Sequence, residues 1–171
     1  IGSIVPGRFI AKQELSTWPV FGILAKLART IFISRSSSSA VKQLQLIEHV
    51  LFRSERLILF PEGTSSDGRK VLPFKPSLFE APIQADAIVQ PLTIRYEKIN
   101  GMPVDLRSKP LLAWYGAMDL LPHLWQSLSV GTITIKIVFH KPIRAIVFSN
   151  RKKLASHCQK IIASESEKSN Q

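Results

Sequence analysis

Residues 56–60, Arg-Leu-Ile-Leu-Phe, form a short and almost continuously apolar run. Such a run is typical of a strand in a sheet that is covered on both faces, because neither side of the strand is then exposed to water. The run ends at Pro61, which lacks the backbone N–H that would continue the ladder. Because this strand needs helices above and below it, the segment indicates an α/β fold.

The segments on either side of this strand alternate between strand and helix patterns, judged by apolar periods of two and of 3.6 residues. The strand patterns cover 8–15, 30–34, 87–96, 111–116 and 131–143, and the helix patterns cover 17–30, 40–54, 77–85, 119–129 and 149–164. Pro91 lies inside a strand pattern and places that strand at an edge or a bulge. We predict one α/β domain over residues 1–171, in which a central mixed, largely parallel sheet is flanked by helices. Residues 165–171 are predicted to form a polar tail.

The charge of the chain indicates an anionic partner. The net charge is +11 and the isoelectric point is near 10.2, which suits nucleic acid, an anionic bilayer or a phosphorylated ligand. The single cysteine, Cys158, excludes an internal disulfide and suits a reducing compartment. No apolar run reaches the roughly 18 residues that a membrane span needs.

The loop after the apolar strand, residues 60–68, has the sequence Phe-Pro-Glu-Gly-Thr-Ser-Ser-Asp-Gly. Its two glycines have the spacing of a phosphate-binding loop, but Arg69 and Lys70 stand where that motif needs a lysine and a hydroxyl, so we reject this interpretation. The segment from Ser65 to Arg69 is typical of a polar turn. Glu62 and Gly63 follow the strand end directly, where open α/β sheets bind ligands.

Four segments resemble motifs of the glycerolipid acyltransferase superfamily, which includes the lysophosphatidate acyltransferases. Phe-Pro-Glu-Gly-Thr (60–64) resembles the third motif of that family. The segments 8–15 with 18–22, 30–35 and 87–96 resemble three further family segments in the same order. The resemblance covers about residues 8 to 96 and implies an α/β fold of the glycerol-3-phosphate acyltransferase type.

The resemblance implies transfer of a fatty acyl group from acyl-CoA or acyl carrier protein to the free hydroxyl of a lysolipid. The acceptor is expected to be 1-acyl-glycerol-3-phosphate, in membrane phospholipid biosynthesis, and neither a bound cofactor nor a metal is implied. Acceptor-binding roles carry over to Arg35, Glu62, Gly63, Thr64 and Lys12, and roles in shaping the pocket to Phe60, Pro61 and Pro91. Arg35 would act as a planar bidentate donor. Arg35, Glu62 and Phe60 are expected to converge on one cleft.

The first motif of the family, His-x-x-x-x-Asp, supplies the general base and is not present in this sequence. Five positions after the four histidines stand Ser54, Leu128, Ala145 and Ile162, so no histidine can complete the motif. We expect the His and Asp to lie upstream of Ile1, in N-terminal residues absent from this sequence. The chain alone is then expected to be inactive, and His123 and His140 are interpreted as structural.

Two further departures leave other acceptors and roles open. Ser34 stands where the second motif has Asp, and Ser65 where the third often has Arg. The third-motif region resembles the lyso-ornithine lipid acyltransferase branch, whose acceptor carries no phosphate. A non-catalytic lipid-binding relic and a basic nucleic-acid-binding domain are the remaining alternatives.

Association with an anionic membrane at its cytoplasmic face is the expected localisation. A nucleic-acid partner is not expected, because the basic residues are spread along the chain and the aromatic residues lie in apolar runs.

Overall fold

The structure is a computed structural model that describes residues 1–19, 21–34, 37–105 and 108–168, with the backbone alone for residues 37–40. The strands described are β1 (Arg8–Lys12), β2 (Ile31–Ile33), β3 (Leu57–Ile58), β4 (Ile88–Val89), β5 (Leu92–Ile99), β6 (Met102–Pro103), β7 (Ile133–Phe139) and β8 (Ile143–Arg144). The helices are α1 (Phe21–Leu27), α2 (Ser37–Phe52), α3 (Glu80–Gln84), α4 (Lys109–Leu112), α5 (Leu120–Ser129) and α6 (Arg151–Glu167). Within the described ranges, every helix is too short or too polar to span a bilayer.

The chain folds into two compact units, and the first comprises Ile1–Pro61, Pro76–Ile88 and Arg144–Arg151. Its sheet has the strand order β2-β1-β3, and both pairings are parallel, with Ile10 opposite Ile31 and Phe9 opposite Ile58. Helix α2 packs against α3. The buried apolar side chains among the described residues of this unit include Ile31, Ile47, Val50, Ile58, Phe79, Ala81 and Ala145.

Helix α2 ends in a left-handed turn that leads into β3. Ser54 has a φ of 57°, and the N–H groups of Ser54 and Glu55 donate to the carbonyls of Leu51 and Val50. These bonds satisfy carbonyls that the last helical turn leaves without partners. The chain thereby reverses and enters the sheet beside β1, where the N–H of Arg8 donates to the carbonyl of Arg56 at 2.8 Å.

The second unit comprises Glu62–Lys75, Val89–Ile143 and Lys152–Gln171. Its antiparallel sheet has the order β6-β5-β7, with a bulge in β5 between Tyr96 and Lys98. The buried side chains among its described residues include Phe74, Thr93, Leu154, Ala155 and Cys158, the last three on α6. Burial raises the pKa of the Cys158 thiol to about 11, against a smaller lowering by a backbone hydrogen bond.

The predicted α/β class is confirmed, and the structure contains both parallel and antiparallel pairing. The strands are divided among three small sheets, including the pair β4-β8, rather than joined in the one central sheet that the sequence predicts. The short strands explain the division. β3 has two residues before the chain turns away at Pro61, and β4 has two before Gln90 and Pro91 interrupt the ladder.

The prediction of a strand at residues 111–116 is wrong. The segment begins in α4, and just before this helix the N–H and the Oγ of Ser108 both donate to Asp105 Oδ1, at 2.8 and 2.7 Å. Pro110 lies in the first turn of the helix, where its missing N–H is not needed. An apolar run of this length cannot by itself distinguish a strand from a short helix.

The strand predicted around Pro91 is interrupted at this residue. Pro91 lies just before β5, so every residue of β5 keeps its N–H. Strand β7 pairs with β5 along its length, whereas β6 pairs only with Lys98 and Ile99, so among the described residues the part of β5 next to Pro91 has one paired neighbour, as an edge position predicts. Helix α6 extends to Glu167, into the segment predicted to be a polar tail. Glu165 Oε1 contacts Arg95 Nη1 at 3.3 Å, and this ion pair links the last turns of α6 to β5.

Candidate functional site

The carboxyl edge of the parallel sheet in the first unit carries three of the predicted site residues. Lys12 ends β1, and Phe60 and Pro61 follow β3. Because the two strands are parallel and adjacent, their carboxyl ends lie at the same edge. Lys12 is half-buried, and Phe60 is 52% exposed, which is unusual for a phenylalanine next to a buried strand.

Arg35 lies outside the described residues, so its role at this edge stays a prediction. The loop that carries Glu62, Gly63 and Thr64 belongs to the second unit. The predicted convergence of Arg35, Glu62 and Phe60 on one cleft therefore also stays a prediction.

Glu62 closes its own loop. One carboxylate oxygen, Oε2, accepts the backbone N–H of Leu72 at 2.9 Å, which joins the two ends of an eleven-residue segment. The side chain is half-buried, and burial raises the pKa of its carboxyl above the ordinary value, while the hydrogen bond from Leu72 lowers it by a smaller amount. The other oxygen, Oε1, makes no hydrogen bond among those described and can meet a hydroxyl or an N–H of a ligand.

The far end of this loop is attached to α6. The N–H of Phe74 donates to Gln159 Oε1 at 3.3 Å, and the Phe74 ring is buried. Two side-chain hydrogen bonds, from Leu72 to Glu62 and from Phe74 to Gln159, therefore hold residues 62–75 in place. The loop depends on these bonds because it contains no regular helix or strand.

Gly63 lies against the side chain of Lys75, a residue outside the predicted site. Gly63 has a φ of +64°, in the left-handed region, and a Cβ at this position would lie 2.6 Å from Lys75 Nζ and 2.9 Å from its Cε. The glycine thus lets the chain turn. Because it has no Cβ, the side chain of Lys75 can occupy the space beside its Cα. The half-buried carboxylate of Glu62 and the exposed ammonium of Lys75 are thereby brought to the same loop. No local signal in the sequence marks Lys75, because the contact depends on how the loop closes.

The remainder of the loop is a polar turn, as predicted. Asp67 Oδ1 accepts the N–H of Arg69 at 3.0 Å, and the N–H of Gly68 donates to Ser66 Oγ at 3.2 Å. Thr64 is exposed, and its hydroxyl lies 3.5 Å from the carbonyl of Ser65, too far for a strong hydrogen bond. The Thr64 hydroxyl is therefore available to a ligand.

The two histidines interpreted as structural each have a hydrogen-bond partner within the second unit. His123 Nε2 donates to the carbonyl of Pro110 at 3.0 Å. His140 Nε2 lies 2.8 Å from the hydroxyl of Thr93, a side chain that is 1% exposed. The backbone N–H of His140 also donates to the carbonyl of the buried Pro91 at 3.1 Å. This bond fixes the chain at the start of β5.

A separate open cleft of about 560 Å³ lies at the opposite, amino edge of the parallel sheet. Arg8, Arg29, His49, Arg53 and Glu55 line it, and Glu55 contacts both Arg8 Nε at 2.8 Å and Arg53 Nε at 3.5 Å. The length of β1 puts this cleft about 13 Å from the carboxyl edge. It is distinct from the carboxyl edge that carries Lys12 and Phe60, and its cations are partly neutralised by Glu55.

Comparison with known proteins identifies relatives along most of the chain. A sequence profile described as Acyltransferase matches residues 3–95. A lyso-ornithine lipid O-acyltransferase of Brucella abortus is 39% identical over 155 residues, which are 86% of this chain and 58% of the relative. A 1-acyl-sn-glycerol-3-phosphate acyltransferase of Neisseria gonorrhoeae is 34% identical over 140 residues, which are 81% of this chain and 52% of the relative. The chain thus spans a little over half the length of these curated relatives.

A solved structure has the same fold. The crystal structure of the 1-acyl-sn-glycerophosphate acyltransferase PlsC from Thermotoga maritima matches 95% of this chain and 56% of its own, with a TM-score of 0.60 at 22% identity. The profile match includes β1 to β4, the Glu62 loop and the first residues of β5. On this evidence the chain belongs to the acyltransferase family, as the motif resemblance indicated.

Proposed function

We propose that the protein transfers a fatty acyl group from a thioester to the free hydroxyl of a lysolipid. The observation that carries the proposal is the loop of residues 62–75, where Glu62 and Lys75 present a half-buried carboxylate and an exposed ammonium. The loop follows β3 directly and begins inside the family match. The names of the relatives support the same reaction class.

In the proposed reaction the acceptor oxygen attacks the carbonyl carbon of the thioester. A C–O bond forms, the C–S bond breaks, and the thiol leaves with the proton that the acceptor hydroxyl loses. Glu62 Oε1 and the Thr64 hydroxyl would bind polar groups of the acceptor, and Lys75 would bind an anionic group. The proton would be taken by a His-x-x-x-x-Asp pair that residues 1–171 do not contain.

The acceptor that we favour is a lyso-ornithine lipid. Three lyso-ornithine lipid O-acyltransferases are 35–39% identical to this chain, and Ser65 stands where a phosphate-binding Arg is common in the family. A second candidate is 1-acyl-glycerol-3-phosphate, because Lys75 against Gly63 offers a cation for its phosphate. Acyl-CoA and acyl carrier protein are both donors to be tested.

We further propose that the protein works at the cytoplasmic face of an anionic membrane. The net charge of +11 attracts such a surface, and a lysolipid acceptor lies in a bilayer.

The test compares the 171-residue chain with a version extended upstream to include a His-x-x-x-x-Asp pair. Each is given acyl-CoA or acyl carrier protein with either acceptor, and the esterified product is measured by mass spectrometry. We expect transfer by the extended chain alone, with lyso-ornithine lipid preferred. Changing the added His to Ala should lower the rate by about 10²–10⁴-fold.

An extended chain that acylates neither acceptor would contradict the proposed reaction. Preference for 1-acyl-glycerol-3-phosphate would instead support the second acceptor. Turnover by the 171-residue chain itself would contradict the requirement for the external histidine.

A further inference from the structure

Helix α5 contacts the rest of its unit through hydrogen-bonding side chains. His123 Nε2 donates to the carbonyl of Pro110 at 3.0 Å, and Ser127 Oγ donates to the carbonyl of Leu111 at 2.7 Å. Because these two side chains are four residues apart, they lie on the same face of the helix. This face is held against α4, together with the half-buried Leu120 and Leu124.

The outward face of α5 carries three large apolar side chains, Leu121, Trp125 and Leu128, which we call the α5 stripe. They are 71%, 76% and 70% exposed, and their spacing of four and three residues places them in one row. The segment Leu120–Ser129 contains no Asp, Glu, Lys or Arg. A helix at a water-exposed surface normally turns a polar face outward, so α5 has the opposite arrangement.

A further apolar side chain lies near the carboxyl end of α5. Asn100 Nδ2 donates to the carbonyl of Val130 at 2.7 Å, and Asn100 Oδ1 accepts the N–H of Thr132 at 2.9 Å. These two bonds fix the β5–β6 turn to the end of the helix. Met102, which follows that turn, is 73% exposed.

We propose that α5 is a membrane-docking helix, whose stripe inserts between the headgroups and upper acyl chains of a phospholipid bilayer. The proposal deepens the proposed membrane association and rests on it. A tryptophan flanked by leucines on the exposed face of a helix suits the boundary between headgroups and hydrocarbon. The net charge of +11 complements an anionic bilayer and would bring the stripe to its surface.

The size of the stripe argues for a bilayer rather than a second copy of the chain. The exposed parts of its three side chains amount to about 400 Å². A standard protein–protein interface needs about 800 Å² from each partner. An interfacial helix has no such requirement, because its apolar face is covered by lipid as far as it extends.

The experiment measures binding of the 171-residue chain to phosphatidylcholine vesicles, with and without phosphatidylglycerol, by co-sedimentation. At about 0.5 M salt the electrostatic attraction is largely screened, so the remaining binding reports apolar insertion. We expect the double variant Leu121→Ser, Trp125→Ser to bind neutral vesicles at least roughly tenfold more weakly than the wild type. The matched control is Leu27→Ser, Phe52→Ser, which removes two side chains that are 76% and 67% exposed in the first unit, and it should bind as the wild type does.

A second measurement does not depend on the folding of the serine variants. Brominated lipids quench tryptophans that enter the hydrocarbon boundary, and the chain has three, Trp18, Trp114 and Trp125. We expect these lipids to quench the tryptophan fluorescence of the wild type, and we expect most of this quenching to be lost in Trp125→Phe.

Three outcomes would overturn the proposal. In the first, the wild type and the α5 double variant bind neutral vesicles equally well. In the second, brominated lipids quench Trp125→Phe as strongly as the wild type. In the third, size-exclusion chromatography shows a dimer for the wild type and a monomer for the α5 double variant. The proposed acyl transfer is tested separately with a monomeric short-chain acceptor and no vesicles, where the α5 variant of the extended chain should retain its rate. An α5 variant that no longer binds vesicles but still transfers the acyl group supports the proposal. If the unmutated extended chain transfers no acyl group, this result counts against the proposed function only.

Discussion

Gly63 has two reasons to be a glycine, and they can be separated by experiment. Its backbone is in the left-handed region, and the space beside its Cα is occupied by Lys75. Gly68, in the same loop, has a similar φ of +70°, but a Cβ there would meet nothing within 4 Å. The two glycines therefore share the conformational requirement and differ in the contact.

The first prediction concerns Gly63→Ala. The left-handed conformation should cost about 1–2 kcal/mol in the free energy of unfolding. The flexible Lys75 side chain should move aside at little further cost, which displaces its ammonium group from the loop. We expect the KM for the acceptor to rise at least severalfold in the extended chain, with urea unfolding and steady-state kinetics as the measurements.

Gly68→Ala is the control for this prediction. It should lose a similar free energy of unfolding, within about 0.5 kcal/mol, and leave the KM for the acceptor unchanged. Equal effects of the two substitutions on KM would show that the position of Lys75 does not matter for acceptor binding.

The second prediction concerns the pH dependence that Glu62 contributes. Burial raises the pKa of Glu62 in the folded protein, so between the unfolded and folded pKa values the folded state binds more protons than the unfolded state. Ionised Glu62 therefore lowers the stability of the folded protein. The loss is complete above the folded pKa and disappears as the pH falls from the folded to the unfolded pKa. Glu62→Gln can still accept the N–H of Leu72, but it does not titrate.

The measurement is urea unfolding of wild type and Glu62→Gln from about pH 7 down to about pH 4. The wild type should gain stability relative to the variant as the pH falls. A difference that stays constant would mean that the hydrogen bond from Leu72 offsets the effect of burial on this pKa, and one that changes in the other direction would mean that it outweighs burial.

Helices α5 and α6 of the second unit carry leucines that differ in burial, and we expect them to differ in their contribution to the free energy of unfolding. Leu154 on α6 has no exposed surface, whereas Leu121 on α5 is 71% exposed. We expect Leu154→Ala to lower the free energy of unfolding by about 2–5 kcal/mol, because it leaves a cavity. Leu121→Ala should change it by less than about 0.5 kcal/mol, as measured by urea unfolding without lipid. A large loss from Leu121→Ala would show that α5 packs by its stripe and would weaken the case for membrane docking.

Elements with a clear period were predictable from the sequence. Strand β7 lies within the segment that the sequence predicts, and helix α6 begins within its predicted segment and continues beyond it to Glu167, since the apolar residues of both recur regularly. The error at residues 111–116 arose where the run was short and both periods fitted. The break between β4 and β5 could not be predicted, because the sequence does not show whether Pro91 falls inside a strand or just before one.

The site was predictable only where its residues are adjacent in sequence. Glu62 and Gly63 could be selected because they follow a strand end in a recognisable motif. Lys75 could not, since its place beside Gly63 depends on the hydrogen bonds from Leu72 to Glu62 and from Phe74 to Gln159. The second of these bonds joins residues 85 positions apart, a separation at which sequence patterns carry no signal.

The charge of the protein as a whole leads to a prediction about salt. With a net charge of +11, binding to vesicles that contain phosphatidylglycerol should weaken at least roughly tenfold between about 0.05 M and about 0.5 M NaCl, because salt screens the attraction. Binding to pure phosphatidylcholine vesicles should change much less. Co-sedimentation at several salt concentrations measures both, and equal salt dependence for the two vesicle types would contradict a specific electrostatic contribution.

The single buried cysteine makes the opening of α6 observable by chemical labelling. Cys158 is 2% exposed, and a thiol with a pKa of about 11 is almost entirely protonated at pH 8, so an alkylating reagent should modify the folded protein very slowly. Because there is one cysteine in 171 residues, each molecule can gain one label, and mass spectrometry would count opened molecules directly. The labelling rate, compared with that of the unfolded chain, then gives the free energy at which α6 separates from its unit. Adding lipid or acceptor should slow this rate if binding stabilises the second unit, which turns Cys158 into a ligand sensor that requires no catalytic turnover.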